Sequence, residues 1–306
     1  MVNFSEREQQ EILDYLETLR GEINTKLDEY TDFGSRCPRY LSEPMRYSLL
    51  SPGKRYRPLL TMLACEICGT SHSHAVPAAC AIEMIHTYSL IHDDLPALDN
   101  DDLRRGQLTC HIKYDESSAI LAGDALQCYA FEVLSKHVFP KQIAGRCVAV
   151  LAEACGPCEL VGGQADDMDW KQSGTASLDF LESIHQRKTG SMILAGLRMG
   201  ALIGGASDLQ YKKLEDYGNN YGLAFQITDD LLDWVGDEET TGKRVRKDKS
   251  QGKLTFPAFL GVEESRKRAY EKVKAACDAL DVFKSNNDIE YKTMVGMTQH
   301  LLDRKK

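Results

Sequence analysis

Apolar residues recur along most of this chain at the three-to-four-residue spacing of an amphipathic helix. The pattern predicts an acidic amphipathic helix over residues 5–30 and a short buried helix over 57–68 (RPLLTMLACEIC). Residues 75–95 (AVPAACAIEMIHTYSLIHDDL) read as a long helix that is apolar on most faces, with Pro77 in its first turn. Proline is tolerated there because the first-turn N–H has no intrahelical partner. Further helices are expected over 117–137, 141–155, 178–203, 208–235, 255–281 and 288–304. Small residues crowd SMILAGLRMGALIGGA (191–206), which predicts close approach between helices. Alternating strands with Asn-Gly or Asp-Gly turns are absent from the pattern. No Pro/Ser-rich linker, low-complexity tract or shift of composition marks a boundary. The polar connector GDEETTGKRVRKDKSQGK (236–253) reads as a functional loop. The expectation is an all-α, single-domain helical bundle of about ten or more helices spanning 1–306.

Composition narrows the function classes. The 306 residues are 42% hydrophobic and 27% charged, the balance of a folded globular chain. A formal net charge of −9 argues against a nucleic-acid partner, since phosphate backbones demand a basic surface. No apolar run approaches the roughly 20 residues of a membrane span. The N-terminus carries neither a signal-type apolar core nor the acid-poor character of a transit peptide. The ten cysteines then read as reduced, buried small hydrophobes of a cytoplasmic protein.

Within that frame one stretch stands out. SLIHDDLPALDNDDLRRG (89–106) packs five aspartates into ten positions, followed by Arg104 and Arg105. Asp93 and Asp94 end the apolar helix, where Pro96 should disturb the ladder and let Asp99 fold back toward Asp93. A second cluster, ITDDLLDW, holds Asp229, Asp230 and Asp233. Asp229 and Asp233 are four apart and share one helix face. One such cluster would be an ordinary solvated face. Two copies, both following apolar stretches and lacking lysine neighbours, look like a cage of hard oxygen ligands suited to Mg²⁺ and phosphate.

Cations complete the pattern. SPGKRYRP supplies Lys54, Arg55 and Arg57, and HQRKTGS supplies Lys188 beside Thr189. The polar connector supplies Lys243 and Lys253. With Arg104 and Arg105, whose guanidiniums suit bidentate phosphate contacts, these describe a site for two polyanions. One would be held through metal and the other by Arg and Lys directly.

The ordered blocks PGKRYRP, EMIHTYSLIHDDLP, LAGDAL, GGQADDM, KTG, FQITDDLLDW and TGKRVRKDKSQGKLTFP resemble the trans-prenyl diphosphate synthases over nearly the whole chain from about residue 40. The chain is most similar to the short-chain bacterial farnesyl and geranylgeranyl diphosphate synthases, because Pro96 and Ala97 lengthen the first motif to DDxxxxD. The resemblance implies the isoprenoid synthase fold, with helices around a central prenyl-chain cavity, and a homodimer. It implies that Asp93, Asp94, Asp99, Asp229, Asp230 and Asp233 coordinate Mg²⁺, three ions per site, on the allylic diphosphate. Arg104, Lys188 and Lys243 would contact that diphosphate. Lys54, Arg57, His86 and Arg105 would hold isopentenyl diphosphate. Thr189 and Gln226 would face the allylic carbon, and Lys253 would help close the site. The RVRKDK stretch departs from the GxV common in the family and adds cations to the closing loop.

Tyr88, five residues before Asp93, lies about 7.5 Å upstream along the helix, with the small Ser89 beside it. In the family an aromatic at this position marks farnesyl (C15) synthases, so Tyr88 is the expected floor of the tail pocket. Geranylgeranyl diphosphate is the alternative product. Two other classes are weaker. Terpene cyclases share the fold but lack the GKRxRP turn and carry a different second metal motif. A CxxC redox or zinc protein is suggested by CGPC (155–158) and CEIC (65–68), but a redox motif of this type needs a βαβ context.

Overall fold

The computed structural model describes residues 2–173, 177–235, 254–284 and 288–304. Helices dominate it: α1 (Glu6–Tyr30), α2 (Arg39–Leu49), α3 (Tyr56–Ile67), α4 (Val76–Asp93), the single turn α5 (Cys110–Lys113), α6 (Glu116–His137) and α7 (Lys141–Cys155). They continue with α8 (Leu160–Ser173), α9 (Leu178–His185), α10 (Ser191–Gly204), α11 (Asp208–Val235), α12 (Phe256–Leu260), α13 (Val262–Ala279) and α14 (Ile289–Asp303). No helix among the described residues is long and apolar enough to cross a membrane.

The core forms around α4. Its sequence is apolar on nearly every face, so neighbours must cover it all round, and thirteen of its residues from Val76 to Ile91 are buried. It packs most extensively on α6, with α3 and α10 on other sides. The crowding of small residues in α10 has the expected consequence: a Cβ at Gly200 would lie 2.2 Å from the Thr61 carbonyl of α3, so only glycine permits that approach. At the other end of the chain, Ser5 and Glu8 cap α1 reciprocally.

Several elements differ from the sequence expectation. Helix α2 survives Pro44 in its interior because Met45 and Leu49 are buried beside it. Helix α8, which runs through Gly162–Gly163, lies outside the expected helices. The expected 178–203 helix is divided by a π-helical turn, Gln186–Gly190, and the expected 255–281 helix by Gly261 at φ 76°. A strand pair also occurs where none was expected. Residues Leu103–Arg104 (β1) and Gln107–Leu108 (β2) form an antiparallel ribbon. Its turn residues Arg105 and Gly106 both have positive φ, 52° and 76°, the backbone a two-residue hairpin requires. The 236–253 connector, with Lys243 and Lys253, lies outside the described residues.

Candidate active site

The first aspartate cluster is shaped by how α4 ends. After Asp93 and Asp94 the chain reverses, and its N–H groups return to the last helical carbonyls. The Asp99 N–H donates to the Asp93 carbonyl at 2.8 Å and that of Asp101 to the Asp94 carbonyl at 3.2 Å. Asn100 takes the left-handed backbone, φ 51°, that this reversal needs. Asp99 thus folds back as expected, and satisfying the helix end is the physical reason.

The carboxylates face chain cations. Arg104, presented by β1, donates from Nε to both oxygens of Asp94 at 2.8 and 2.9 Å. Lys188, from the π turn, sits 3.8 Å from Asp93 Oδ2 and donates to Asp167 Oδ2 at 3.0 Å. Arg304, just past α14, donates to Asp229 Oδ1 at 3.3 Å and lies 4.5 Å from the Phe225 ring centroid. Neither aspartate cluster has a lysine neighbour in sequence, yet residues distant in sequence bring counter-charge to both. Burial pushes the Asp93 carboxyl up to about 6; Lys188 opposes this, and Asp99 and Asp94 add to it. Burial likewise raises Asp94 despite Arg104.

Asp230, on α11, is buried and its oxygens accept from the chain itself. The Gln226 amide donates to Oδ1 at 3.3 Å and the Phe256 backbone N–H to Oδ2 at 2.9 Å. The Thr189 hydroxyl in turn donates to Gln226 Oε1 at 3.1 Å. Consecutive residues therefore touch both clusters, Lys188 at Asp93 and Thr189, through Gln226, at Asp230. Asp233 follows Asp229 by one turn of α11. Among the described residues, no three His, Cys, Asp or Glu side chains lie close enough together to form a metal-binding group.

The second cation group sits at the start of α3. Arg57 donates to His86 Nε2 at 3.3 Å, which requires that nitrogen to be unprotonated. Burial, then Arg57 and Arg105, drive the His86 pKa well below its usual value and keep the ring neutral. Lys54 is exposed on the same turn. Arg55, expected from sequence to be a third phosphate cation, is instead turned inward and buried. Tyr88 is 5% exposed and stands edge-on to His92 at 5.6 Å, and the Ser89 hydroxyl bonds back to the His86 carbonyl at 2.9 Å.

A polyprenyl synthetase family model matches residues 38–292. The chain belongs to that family. This polyprenyl synthetase is 43% identical over 265 residues to the farnesyl diphosphate synthase of Geobacillus stearothermophilus, covering 86% of this chain and 89% of that one. It is 42% identical over 274 residues to the geranylgeranyl diphosphate synthase of Cyanophora paradoxa, covering 89% and 91%. Its fold matches the crystal structure of an FPP/GFPP synthase from Zymomonas mobilis with TM-score 0.85 and 36% identity, over 95% and 98% of the two chains. It is a short-chain trans-prenyl diphosphate synthase with the all-α fold of the isoprenoid synthases, a prenyltransferase.

Three residues beside the candidate site escaped the sequence reading. Asp167 holds Lys188, and its signal was a third aspartate doublet in the GGQADDM block. Gly163 lets α8 approach the π turn, since a Cβ there would lie 2.7 Å from the Lys188 nitrogen. Arg304 reaches Asp229 from the far end of the sequence, and nothing but a basic terminus announced it. The thiol reading fails on context. Cys155 is buried at the end of α7 and Cys158 exposed in a turn before α8, with no strand beside them. Burial pushes both Cys65 and Cys68 up to about 12, away from the thiolate that redox or zinc chemistry requires.

Proposed function

We propose that this synthase makes farnesyl diphosphate, joining isopentenyl diphosphate to dimethylallyl and then geranyl diphosphate. The observation that supports the reading best is the pair Lys188–Thr189, whose contacts tie the Asp93 and Asp230 clusters into one site. The donor set fits magnesium. It consists of hard carboxylate oxygens, and burial raises Asp93, whose nearest cation, Lys188, stands 3.8 Å away, while Asp94 is held by Arg104. Asp93, Asp94, Asp99, Asp229, Asp230 and Asp233 are the candidate ligands; for Asp230 this would compete with its bonds to Gln226 and Phe256. When bound, the metal would draw charge from the diphosphate leaving group and ease cleavage of the allylic C–O bond.

The chain's own groups supply the rest. Lys188 and Arg104 orient the allylic diphosphate, together with Lys243. Thr189 and Gln226 place oxygen dipoles beside the carbon where positive charge develops. Lys54, Arg57, Arg105 and neutral His86 hold isopentenyl diphosphate so that its double bond attacks that carbon. The proton lost afterwards goes to the released pyrophosphate. Lys253 belongs to the closing segment. Tyr88 forms the floor that stops growth at C15.

The active unit is read as a single-domain chain in a homodimer. Support comes from Leu103, Leu108, Ile112, Ile120 and Leu121, which leave apolar surface exposed on the ribbon, α5 and α6. The test is incubation with labelled isopentenyl diphosphate and each allylic primer, followed by chain-length analysis. C15 should be the main product, with turnover lost in EDTA and restored by Mg²⁺. A C20 product would assign the chain to geranylgeranyl diphosphate synthesis instead.

A further inference from the structure

We propose that Glu83 is a positioning residue for isopentenyl diphosphate, acting through Arg55 and Arg105. The inference rests on the reading of Lys54, Arg57, His86 and Arg105 as that substrate's site. Glu83 interrupts the apolar sequence of α4 and is 1% exposed. A carboxylate in such a place needs a reason.

Its first partner is Arg55, whose Nη1 lies 2.6 Å from Glu83 Oε1 with both side chains 2% exposed. The same guanidinium donates from Nη2 to the Leu49 and Ser51 carbonyls at 2.9 and 2.8 Å, and from Nε to Asn24 Oδ1 at 3.0 Å. One side chain thus ties α1, the end of α2 and the 50–54 turn to α4. Arg55 occupies the left-handed region, φ 55°, at the start of α3. That backbone turns Arg55 inward, while its neighbour Lys54 stays exposed and Arg57 reaches His86. Fixing Arg55 therefore fixes where the flanking cations stand.

Its second partner is Arg105, whose Nη2 is 4.0 Å from the same Glu83 oxygen. Arg105 also donates to Ser51 Oγ at 3.3 Å. It lies against Gly53, where a Cβ would come within 2.8 Å of Nη1. Four arginines, at 55, 57, 104 and 105, act on His86. Glu83 is the foremost opposing charge felt by both Arg57 and Arg105. A buried ion pair gives little net stability over an apolar pair of the same volume, so its use here is geometric.

Replacing Glu83 with glutamine keeps the shape and removes the charge. The KM for isopentenyl diphosphate should rise about tenfold or more, with the KM for the allylic substrate within about twofold. Glu83→Asp should recover part of the loss. The paired change Arg55→Met with Glu83→Met should still show the raised KM, and its Tm should fall because the Leu49 and Ser51 carbonyls and Asn24 lose their donor. Arg57→Ala sets the scale for loss of a direct contact. A normal KM in Glu83→Gln beside a raised one in Arg57→Ala would overturn the proposal. So would a KM that returns to normal in the Met/Met protein, since that marks a packing role only. If Arg57→Ala itself leaves the KM unchanged, the assignment of the substrate site fails and the proposal falls with it.

Discussion

At the scale of single residues, the site is a balance of buried acids and imported cations. Asp93 is raised by burial and opposed by Lys188, so it gains most when a further positive charge arrives. Asp93→Ala and Asp229→Ala should each lower kcat by about 10²-fold or more, because leaving-group charge is then left unstabilised. Steady-state kinetics at saturating Mg²⁺ checks this, and unchanged turnover in either variant would remove the metal role. Tyr88 carries the product-length prediction. It is buried on α4, five residues before Asp93, with its ring edge-on to His92. Tyr88→Ala should shift products to C20 and longer with kcat changed by less than about tenfold, because the ring is proposed to limit space rather than touch the reacting atoms. A variant still stopping at C15 would show that the floor lies elsewhere.

At the scale of elements, the site depends on helices meeting at unusual closeness. The π turn Gln186–Gly190 presents Lys188 and Thr189 together, and α8 supports it through Gly163 and the pair of Asp166 with Arg187. Local π geometry of this kind recurs at functional sites because it breaks the regular facing of side chains. Gly163→Ala places a methyl 2.7 Å from the Lys188 nitrogen, so it should cost roughly 1–3 kcal/mol and lower kcat. Gly145 on α7 is the control, as a Cβ there meets nothing within 4 Å. Gly145→Ala should be neutral or stabilising by up to about 1 kcal/mol. Thermal melts and turnover of the two variants, compared directly, decide the matter; equal behaviour would exclude the packing argument.

At the scale of the molecule, the N-terminal helix is fastened to the bundle by a histidine bridge remote in sequence from the site motifs. His72 Nε2 meets Glu22 of α1 at 3.0 Å, and Nδ1 meets Glu66 of α3 at 2.6 Å. The Tyr15 hydroxyl donates to the other oxygen of Glu66. Burial alone would lower the His72 pKa, but Glu66 and Glu22 reverse that and hold it above its usual 6.5. A pKa raised on folding stabilises the fold fully below the unfolded value and loses that contribution as pH rises through the folded one. Stability should therefore decline as pH rises above the usual 6.5 and through the raised folded value, and His72→Gln should flatten this part of the profile. Denaturant titrations across that range test it, and an unchanged slope in the variant would discount the bridge.

The sequence alone determined the helical class, the position of most helices and the identity of both aspartate clusters. Periodicity and motif order are local properties, written in consecutive residues such as Asp93–Asp94 or Asp229–Asp230. It also determined that Asp99 returns toward Asp93, because Pro96 and the unsatisfied helix end leave the backbone little choice. Tertiary structure decided which charges meet. Arg55, Arg57 and Lys54 are alike in sequence, yet the left-handed backbone at Arg55 sends it to Glu83 while Lys54 stays exposed and Arg57 meets His86. Helices α2 and α8 were not among the expected helices, and they contain Pro44 and Gly162–Gly163 with Met45, Leu49 and Leu160 buried. The partners of Asp94, Asp93 and Asp229 lie 10, 95 and 75 residues away in sequence. No pattern of neighbours encodes contacts at such separations; only packing brings the two sides together.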